Sequence, residues 1–565
     1  MKSLEEFKES LLSYLYTEKK ITEEQREREK QMSDEEKMEN NLLLKDVTIL
    51  ESEEDTYVLN APDNYSKIRT GDKILVRKEG EAKSHQAVVL DVYFDSITIE
   101  CSTKLEKDSV YSIETDAPNL IQSLIACLED IGAGKPGASF LRLLSGEETA
   151  ETDDFLQLVP EEILGYQYMF GKLEQEQQDA VRAMLQYPPI HVLQGPPGTG
   201  KTQVLALTAI ATAKMNREVV IIANTHHAVN NALLKIRSID KSACIFKVGD
   251  RLKAEELDDS ITKFAKFSEY NEYSYNNRRK KRSGHIIGMT IWGAITYLGL
   301  HQHSHFRPYQ ALVDEASLMG LSYASILGKC ATSICLFGDS WQMQPIFLPE
   351  LESHELSTSV LDYCVNEVRG VSVSVLHTTF RMNAEVTDLV SKSFYEPYGI
   401  KLVSADAAKD RKLQIPQDEQ EDERIKEILT SKNSVFSLNV STIDNCTESN
   451  MEEALFAAHL ASAAMNEGMP SEAIAVITPF RKQVNKIRAA FKHLGWTPEE
   501  CPLIDTVERL QGQDVEMIII SFAVTDSCYY EQIKGFLLNP NRLNVMISRA
   551  KTKVVILKSE TIAFT

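Results

Sequence analysis

The chain has 565 residues, of which 43% are apolar and 25% charged, and carries a net charge of −22. That length exceeds one core and requires several domains; the composition is ordinary for a soluble globular protein. The acidic balance excludes a generally basic, histone-like binder, although a basic groove can exist on an acidic protein. No run approaches the roughly 18 apolar residues of a membrane span. The N-terminus, MKSLEEFKESLLSYLYTEKK, lacks an apolar core and a small-residue cleavage site, so no signal peptide is expected. The nine Cys are scattered, with no C-x-x-C pair. Zinc, an iron–sulfur cluster and disulfides are therefore not expected, and a reducing cytoplasm fits.

In chain order, residues 1–42 place Leu4, Phe7, Leu11, Leu12 and Leu15 at helical spacing, which predicts a helix packed on one side. Residues 43–116 change period: VTILES, TYVLNA, DKILVRK and QAVVLDVYFDSITIE alternate between Gly and Asp turns, predicting a small β-barrel. Residues 117–164 return to helix, with a break at GAGKPGAS. From residue 165 to 365, short apolar segments (IHVLQG, EVVIIANT, GHIIGMT, YQALVDEAS, SICLFGDS) alternate with helix-length stretches, and a helical, basic insertion is expected near 250–283. Residues 366–565 repeat the pattern with SVFSLNV, IAVITPF, VEMIIISF and KVVILK. The expected class is α/β, with two parallel-sheet units.

GPPGTGKT, residues 195–202, matches G-x-x-x-x-G-K-[ST] between a strand and a helix. Gly195, Pro196, Pro197, Gly198, Thr199 and Gly200 form the phosphate loop, followed by Lys201, Thr202 and Gln203. The glycines let backbone N–H groups turn inward on phosphate oxygens. Lys201 reaches the β- and γ-phosphates, and Thr202 holds Mg²⁺. Asp314, at a strand end, is the second Mg²⁺ ligand, and Glu315 beside it is the general base. Gln177 is placed to read adenine; Asp339 and Gln342 to sense the γ-phosphate; Phe380 to stack on adenine. Arg381 and Arg549, with Arg542 nearby, come from the second α/β unit; arginines reaching across a cleft stabilise transferring phosphate charge.

The ordered set LEQEQQDAV, GPPGTGKT, ANTHHAVNNAL, VDEAS, GDSWQMQP, FRMN, ITPF, TVERLQGQDVEMIIIS and RLNVMISRAK resembles a superfamily 1 helicase over about residues 165–560. It is similar to the group containing the nonsense-mediated decay RNA helicase, senataxin and the helicase part of certain nuclease–helicase fusions. The resemblance implies two RecA-like motor domains with an N-terminal helical stalk and barrel. It also implies ATP and Mg²⁺ as cofactors, single-stranded DNA or RNA as partner, and 5′ to 3′ movement. Gln177, Lys201, Thr202, Asp314, Glu315, Gln342, Arg381 and Arg549 take the family's nucleotide roles. Asp514 stands where the family usually has Glu in its fifth motif, which puts its ribose contact in question. Thr225, Asn230, Thr290, Thr478, Pro479 and Thr506 align with segments that touch the strand backbone; each is equally readable as a strand-terminal cap. The basic run Arg278, Arg279, Lys280, Lys281 and Arg282 is expected to grip backbone phosphates, with Tyr270, Tyr273 and Tyr275 available to stack bases.

Two other readings stay open. One is a nucleic-acid-stimulated ATPase switch that remodels a protein complex without separating strands. The other is a scaffold with a vestigial motor, against which Lys201, Glu315 and the two arginines count. No nuclease signature is visible, so any cutting is expected from a protein partner. The pattern does not separate DNA from RNA, since a backbone-tracking groove need not touch the 2′-OH.

Overall fold

The computed structural model describes the chain apart from residues 1, 41, 54, 62–67, 69–71, 82, 93–95, 116–119, 151–169, 251, 255, 278–282, 301–307, 417–421, 508–513 and 564–565. It divides into two compact units. The first comprises residues 1–193, 202–337 and 345–374, and the second residues 194–201, 338–344 and 375–565. Two short stretches thus group with the second unit although they lie within the segment 165–365.

The first unit opens on the helix Leu4–Gln31, started by a capping box in which Ser3 and Glu6 satisfy each other's backbone N–H groups. Leu4, Phe7, Leu11, Tyr14 and Leu15 form its buried stripe, packed on the helices Ile121–Glu129 and Ala138–Ser145. Six antiparallel strands follow: β1 Leu43–Glu53, β2 Thr56–Asn60, β3 Lys73–Lys78, β4 Ser84–Val92, β5 Ser96–Glu100 and β6 Val110–Thr115. They close in the order β1-β2-β5-β4-β3-β6. Every second residue, such as Val47, Leu59, Ile74, Val76, Ile97, Ile99 and Ile113, points into the barrel.

An eight-stranded sheet carries the rest of this unit, in the order β10-β9-β11-β8-β12-β13-β7-β14. Its strands are β7 Ile190–Gln194, β8 Val219–Ala223, β9 Ile245–Val248, β10 Thr262–Phe264, β11 Ile286–Thr290, β12 Gln310–Val313, β13 Ser333–Gly338 and β14 Ser372–Val375. The ladders from β10 to β13 are parallel. The bonds Ile334 N–H to Pro189 O and Gly195 N–H to Gly338 O advance in the same sense, so β7 is parallel to β13. Strands β7, β8, β9, β11, β12 and β13 are buried throughout, as a sheet covered on both faces requires. Strand β9 escapes a hydropathy reading because Lys247 interrupts it. The stretch near 250–283 is not a helical insertion standing alone. It contributes β10 to the sheet edge before the helix Phe267–Asn277.

The second unit has a short parallel pair, β15 Thr378–Thr379 with β16 Val403–Ser404, and a five-stranded parallel sheet. Its order is β17-β21-β20-β18-β19, from β17 Val435–Asn439, β18 Ile474–Thr478, β19 Leu503–Thr506, β20 Val515–Ser521 and β21 Ala550–Lys558. One face packs on residues around Met382, Val386 and Val545, the other on the helices Met451–Asn466 and Arg481–His493.

Candidate functional site

Strand β7 runs into the phosphate loop, and the helix Lys201–Lys214 follows it directly. The loop needs glycine for two separate reasons. A Cβ on Gly195 would stand 2.4 Å from Lys201 Cγ, so any side chain there would evict the lysine stem. Gly198 has φ +74°, and its Cβ would meet Arg381 Cβ at 2.5 Å. Lys201 Nζ donates to the Gly195 and Pro196 carbonyls. From behind, Thr379 Oγ1 donates to Pro197 O at 2.9 Å and Phe380 N–H to Gly198 O at 2.9 Å. The positive end of a helix, a lysine and a glycine-lined turn together make an anion cradle.

Within the second unit, this loop lies beside a hydrogen-bonded network that ends on Arg549. Asp339, 2% exposed, accepts from Gln194 Nε2 at 2.7 Å, Gln342 Nε2 at 2.7 Å, Trp341 N–H at 3.2 Å and Tyr395 OH at 2.6 Å. Burial raises its carboxyl pKa, and the Lys201 charge and these donors oppose that rise. Tyr395, whose own pKa burial pushes up, accepts in turn from Asn544 Nδ2 at 2.8 Å. Asn544 Nδ2 also donates to Trp341 O at 2.6 Å. Gln342 Oε1 faces Arg549 Nη2 at 3.4 Å. Arg381 donates through Nη1 to Ser548 O at 3.0 Å and pairs through Nη2 with Asp514 at 2.6 Å. The Phe380 ring is 37% exposed, as a stacking surface must be. Arg542 is not in this group; its guanidinium lies over the Phe536 ring.

Tyr395 and Asn544 were not legible as site residues. Tyr395 ends a π-helical turn, Ser391–Tyr395, and such bulges often re-aim a side chain at functional sites. Asn544 lies in the RLNVMISRAK motif, the one clue to it, whereas nothing in the sequence marks Tyr395.

In the first unit, Thr202 and Gln203 open the first turn after Lys201. Asp314 and Glu315 leave the C-terminal end of β12, the edge where open parallel sheets bind ligands. Asp314 is 8% exposed and accepts the Glu315 N–H at 3.0 Å. Glu315 has φ +53°, a left-handed conformation that a non-glycine residue holds only under constraint. Gln177 is buried, and its Oε1 accepts the Glu174 N–H in the capping box of the helix Gln175–Met184.

The strand-contact residues divide. Thr225 caps the helix His226–Ile239, accepting the Ala228 N–H at 3.1 Å, and is exposed. Thr290 accepts the Gly293 N–H, and Thr478 accepts the Phe480 N–H beside the half-buried Pro479. Thr506 is buried at the end of β19. Two expectations are corrected. Asn230 is 1% exposed, and its amide donates inward to Lys253 O and Glu256 Oε1, so it offers nothing to a strand. Tyr270 is 1% exposed and hydrogen-bonded to His285 within an aromatic cluster around Phe246, so it cannot stack bases. Tyr273 and Tyr275 remain exposed. Arg278, Arg279, Lys280, Lys281 and Arg282 lie outside the described residues.

Two family models match, each described as an AAA domain, one over residues 172–351 and the other over residues 356–561. The chain is 22% identical over 528 residues to the DNA replication ATP-dependent helicase/nuclease JHS1 of Arabidopsis thaliana, covering 87% of this chain and 37% of that protein. It is 27% identical over 410 residues to the DNA replication ATP-dependent helicase/nuclease DNA2 of Xenopus laevis, covering 68% and 37%. It is 24% identical over 446 residues to the DNA polymerase alpha-associated DNA helicase A of Schizosaccharomyces pombe, covering 69% and 64%. The chain thus spans 37% of the length of the first two of these relatives. Among solved structures, the Arterivirus nonstructural protein 10 helicase superposes with a TM-score of 0.39 at 12% identity, over 90% of this chain and 78% of that one.

Proposed function

We propose that this chain, which belongs to the superfamily 1 helicases in the group of the DNA2-type and senataxin-type enzymes, hydrolyses ATP to move along single-stranded nucleic acid and separate strands, in the 5′ to 3′ sense. The observation that carries the reading is the company kept by the phosphate loop. Arg381 lies against Gly198, and Arg549 touches Gln342, which Asp339 holds. A passive phosphate binder has no use for two arginines held beside its loop. A phosphoryl-transfer enzyme does, because charge builds on the transferring group.

In this reading Lys201 neutralises the β- and γ-phosphates, and Glu315 takes the proton of the attacking water. Gln342 orients that water, and Arg381 and Arg549 stabilise the charge as it moves. Asp514 serves as the orienting partner of Arg381 rather than as a ribose ligand, since its carboxylate is already paired with that guanidinium. Thr202 and the Asp314 carboxylate are hard oxygen donors of the kind Mg²⁺ takes. They would hold the ion, which when bound neutralises charge on the β- and γ-oxygens. Among the described residues no helix is long and apolar enough to cross a membrane. A protein partner such as a nuclease, and a cytoplasmic location, remain part of the proposal.

The test compares ATP turnover with single-stranded DNA, single-stranded RNA and duplexes, followed by strand displacement on substrates tailed at the 5′ or 3′ end. Displacement confined to 5′-tailed substrates is expected. Stimulated turnover with no displacement from either tail would replace this reading with the ATPase switch. Glu315→Gln is expected to bind ATP yet lose turnover by about 10²–10⁴-fold. Near-parental turnover would remove Glu315 from the role of base.

A further inference from the structure

Arg381 and Phe380 stand on a stretch of backbone outside regular structure. Strand β15 ends at Thr379 and its parallel partner β16 at Ser404. Up to that point main-chain donors suffice: Val403 N–H donates to His377 O at 3.0 Å and Ala405 N–H to Thr379 O at 2.8 Å. The chain then bends through Phe380, Arg381 and Met382, and no strand reaches their carbonyls. Side chains from the segment that begins with β16 take them instead. Ser404 Oγ donates to Met382 O at 2.9 Å. Arg411 Nη1 donates to Arg381 O at 3.1 Å and, at a longer 3.4 Å, to Phe380 O. The short helix Asp406–Lys409 turns the chain back towards this bend, and Arg411 N–H closes the turn on Ala408 O at 3.1 Å. Arg411 is itself anchored, since its carbonyl accepts from Nδ2 of Asn383, the cap of the helix Ala384–Val390, at 3.0 Å. Among the described residues Arg411 pairs with no carboxylate, so these two carbonyls are what its charge is spent on.

We propose that Arg411 is a positioning residue for ATP hydrolysis: its guanidinium fixes the backbone of Phe380 and Arg381, so that the ring and the guanidinium they carry are aimed before the nucleotide arrives. The inference rests on the roles given to Phe380 and Arg381 above. The Arg381 side chain is already held at its far end, by Ser548 O and Asp514. With Arg411 on its carbonyl, it is held at both ends. Phe380 is held in the same way, its N–H on Gly198 O and its carbonyl on Arg411. A charge that stabilises a transition state acts best when it is already in place, because nothing then has to reorganise during the reaction. A backbone left without these bonds swings by about 1 Å, and a displacement of that size costs about 10²-fold in rate. Nothing in the sequence marks this role. Arg411 follows Arg381 by 30 residues, inside the charged run KDRK, which reads as a solvated surface.

The experiment measures ATP hydrolysis by the full chain, in steady state where turnover is fast and in single turnover where a variant is slow. Arg411→Ala and Arg411→Lys are each made in the parental chain and in an Arg381→Ala background, with denaturant midpoints on the same preparations. Arg411→Ala is expected to lower kcat by about 10–100-fold and to raise KM for ATP only about threefold, because the larger share of the loss falls on the transition state. Arg411→Lys, which keeps the charge and the donors on a different stem, should recover most of that loss. In the Arg381→Ala background Arg411→Ala should cost nothing further, since no guanidinium is left to aim. A kcat for Arg411→Ala within about twofold of parental overturns the inference. So does a full further loss in the Arg381→Ala background, which would make Arg411 a general support of the fold. Arg411→Gln, with an amide donor on a shorter stem, carries the same comparison should Arg411→Ala fail to fold. Hydrolysis at the parental rate by Arg381→Ala itself would overturn the role of that arginine, and this inference with it.

Discussion

The turns that follow β7 and β18 are built on one plan and do opposite things. Each leaves the C-terminal end of a buried parallel strand and enters a helix, Lys201–Lys214 in one case and Arg481–His493 in the other. After β7 the chain takes six residues, from Gly195 to Gly200, with Gly198 and Gly200 at positive φ, before the helix begins. After β18 it takes two, Pro479 and Phe480, without a glycine. That short turn is closed on itself. Thr478 Oγ1 accepts the Phe480 N–H, and Gln483 in the first helical turn is bound to Asn450 and Ser521. Glu453 completes the patch, accepting from Ser521 Oγ at 2.7 Å and the Ala523 N–H at 2.8 Å. A strand-to-helix turn at a sheet edge is therefore not in itself a phosphate site. Length, glycine and a lysine folded back onto the loop's own carbonyls make it one, and the second sheet instead spends its equivalent edge on internal hydrogen bonds.

The sharpest way to break this contrast is Lys201→Ala, which removes the charge from the long turn and should abolish both ATP binding and turnover; equilibrium nucleotide binding checks it. Next in size, Arg381→Ala and Arg549→Ala should each lower kcat by about 10³–10⁵-fold with little change in KM for ATP. Steady-state kinetics decide this, and a loss confined to KM would make them ground-state ligands. Tyr395→Phe removes the hydroxyl that joins Asp339 to Asn544. It should cost about 1.5–3 kcal/mol of stability and reduce kcat more than KM, since Asp339 loses one of its donors and holds Gln342 less firmly. Denaturant unfolding and kinetics on one preparation separate the two effects.

On the other turn the expected effects are on folding alone. Gln483→Ala should destabilise by about 1–3 kcal/mol while the KM for ATP stays at the parental value. A changed KM would show that the short turn also takes part in nucleotide binding. The last effect concerns pH. Burial pushes the Glu453 carboxyl from 4.5 up to about 7, so the folded chain favours the neutral acid. Stability from this group is fully present below about pH 4.5 and is lost as pH rises through about 7, by on the order of 3 kcal/mol. Glu453→Gln should flatten that part of the stability–pH curve, read from denaturant midpoints between pH 4.5 and 8.

Much of this was legible from residue order. Alternation in VTILES and TYVLNA marked barrel strands, and unbroken apolar runs such as VVIIA marked strands buried on both faces, because burial pattern follows directly from side-chain period. Gly195 through Thr202 announced a phosphate loop because only that spacing turns enough backbone N–H groups inward. The short strands β9, β10 and β19 were missed, since three or four residues with Lys247 or Asp505 among them carry too little periodicity. The sequence alone also could not tell that Asn230 and Tyr270 turn inward, because an amide or a phenol at a strand or helix edge can face either way until its neighbours are in place. Tertiary structure alone decided that Tyr395, more than fifty residues after Asp339, completes its hydrogen bonds, and that Asp514 is paired with Arg381. It also brought Glu18, Trp292 and Ile346 to the lining of one cavity. Local propensity shapes each segment, but which polar atom is left without a partner depends on what packs against it, and distant parts of the chain supply that.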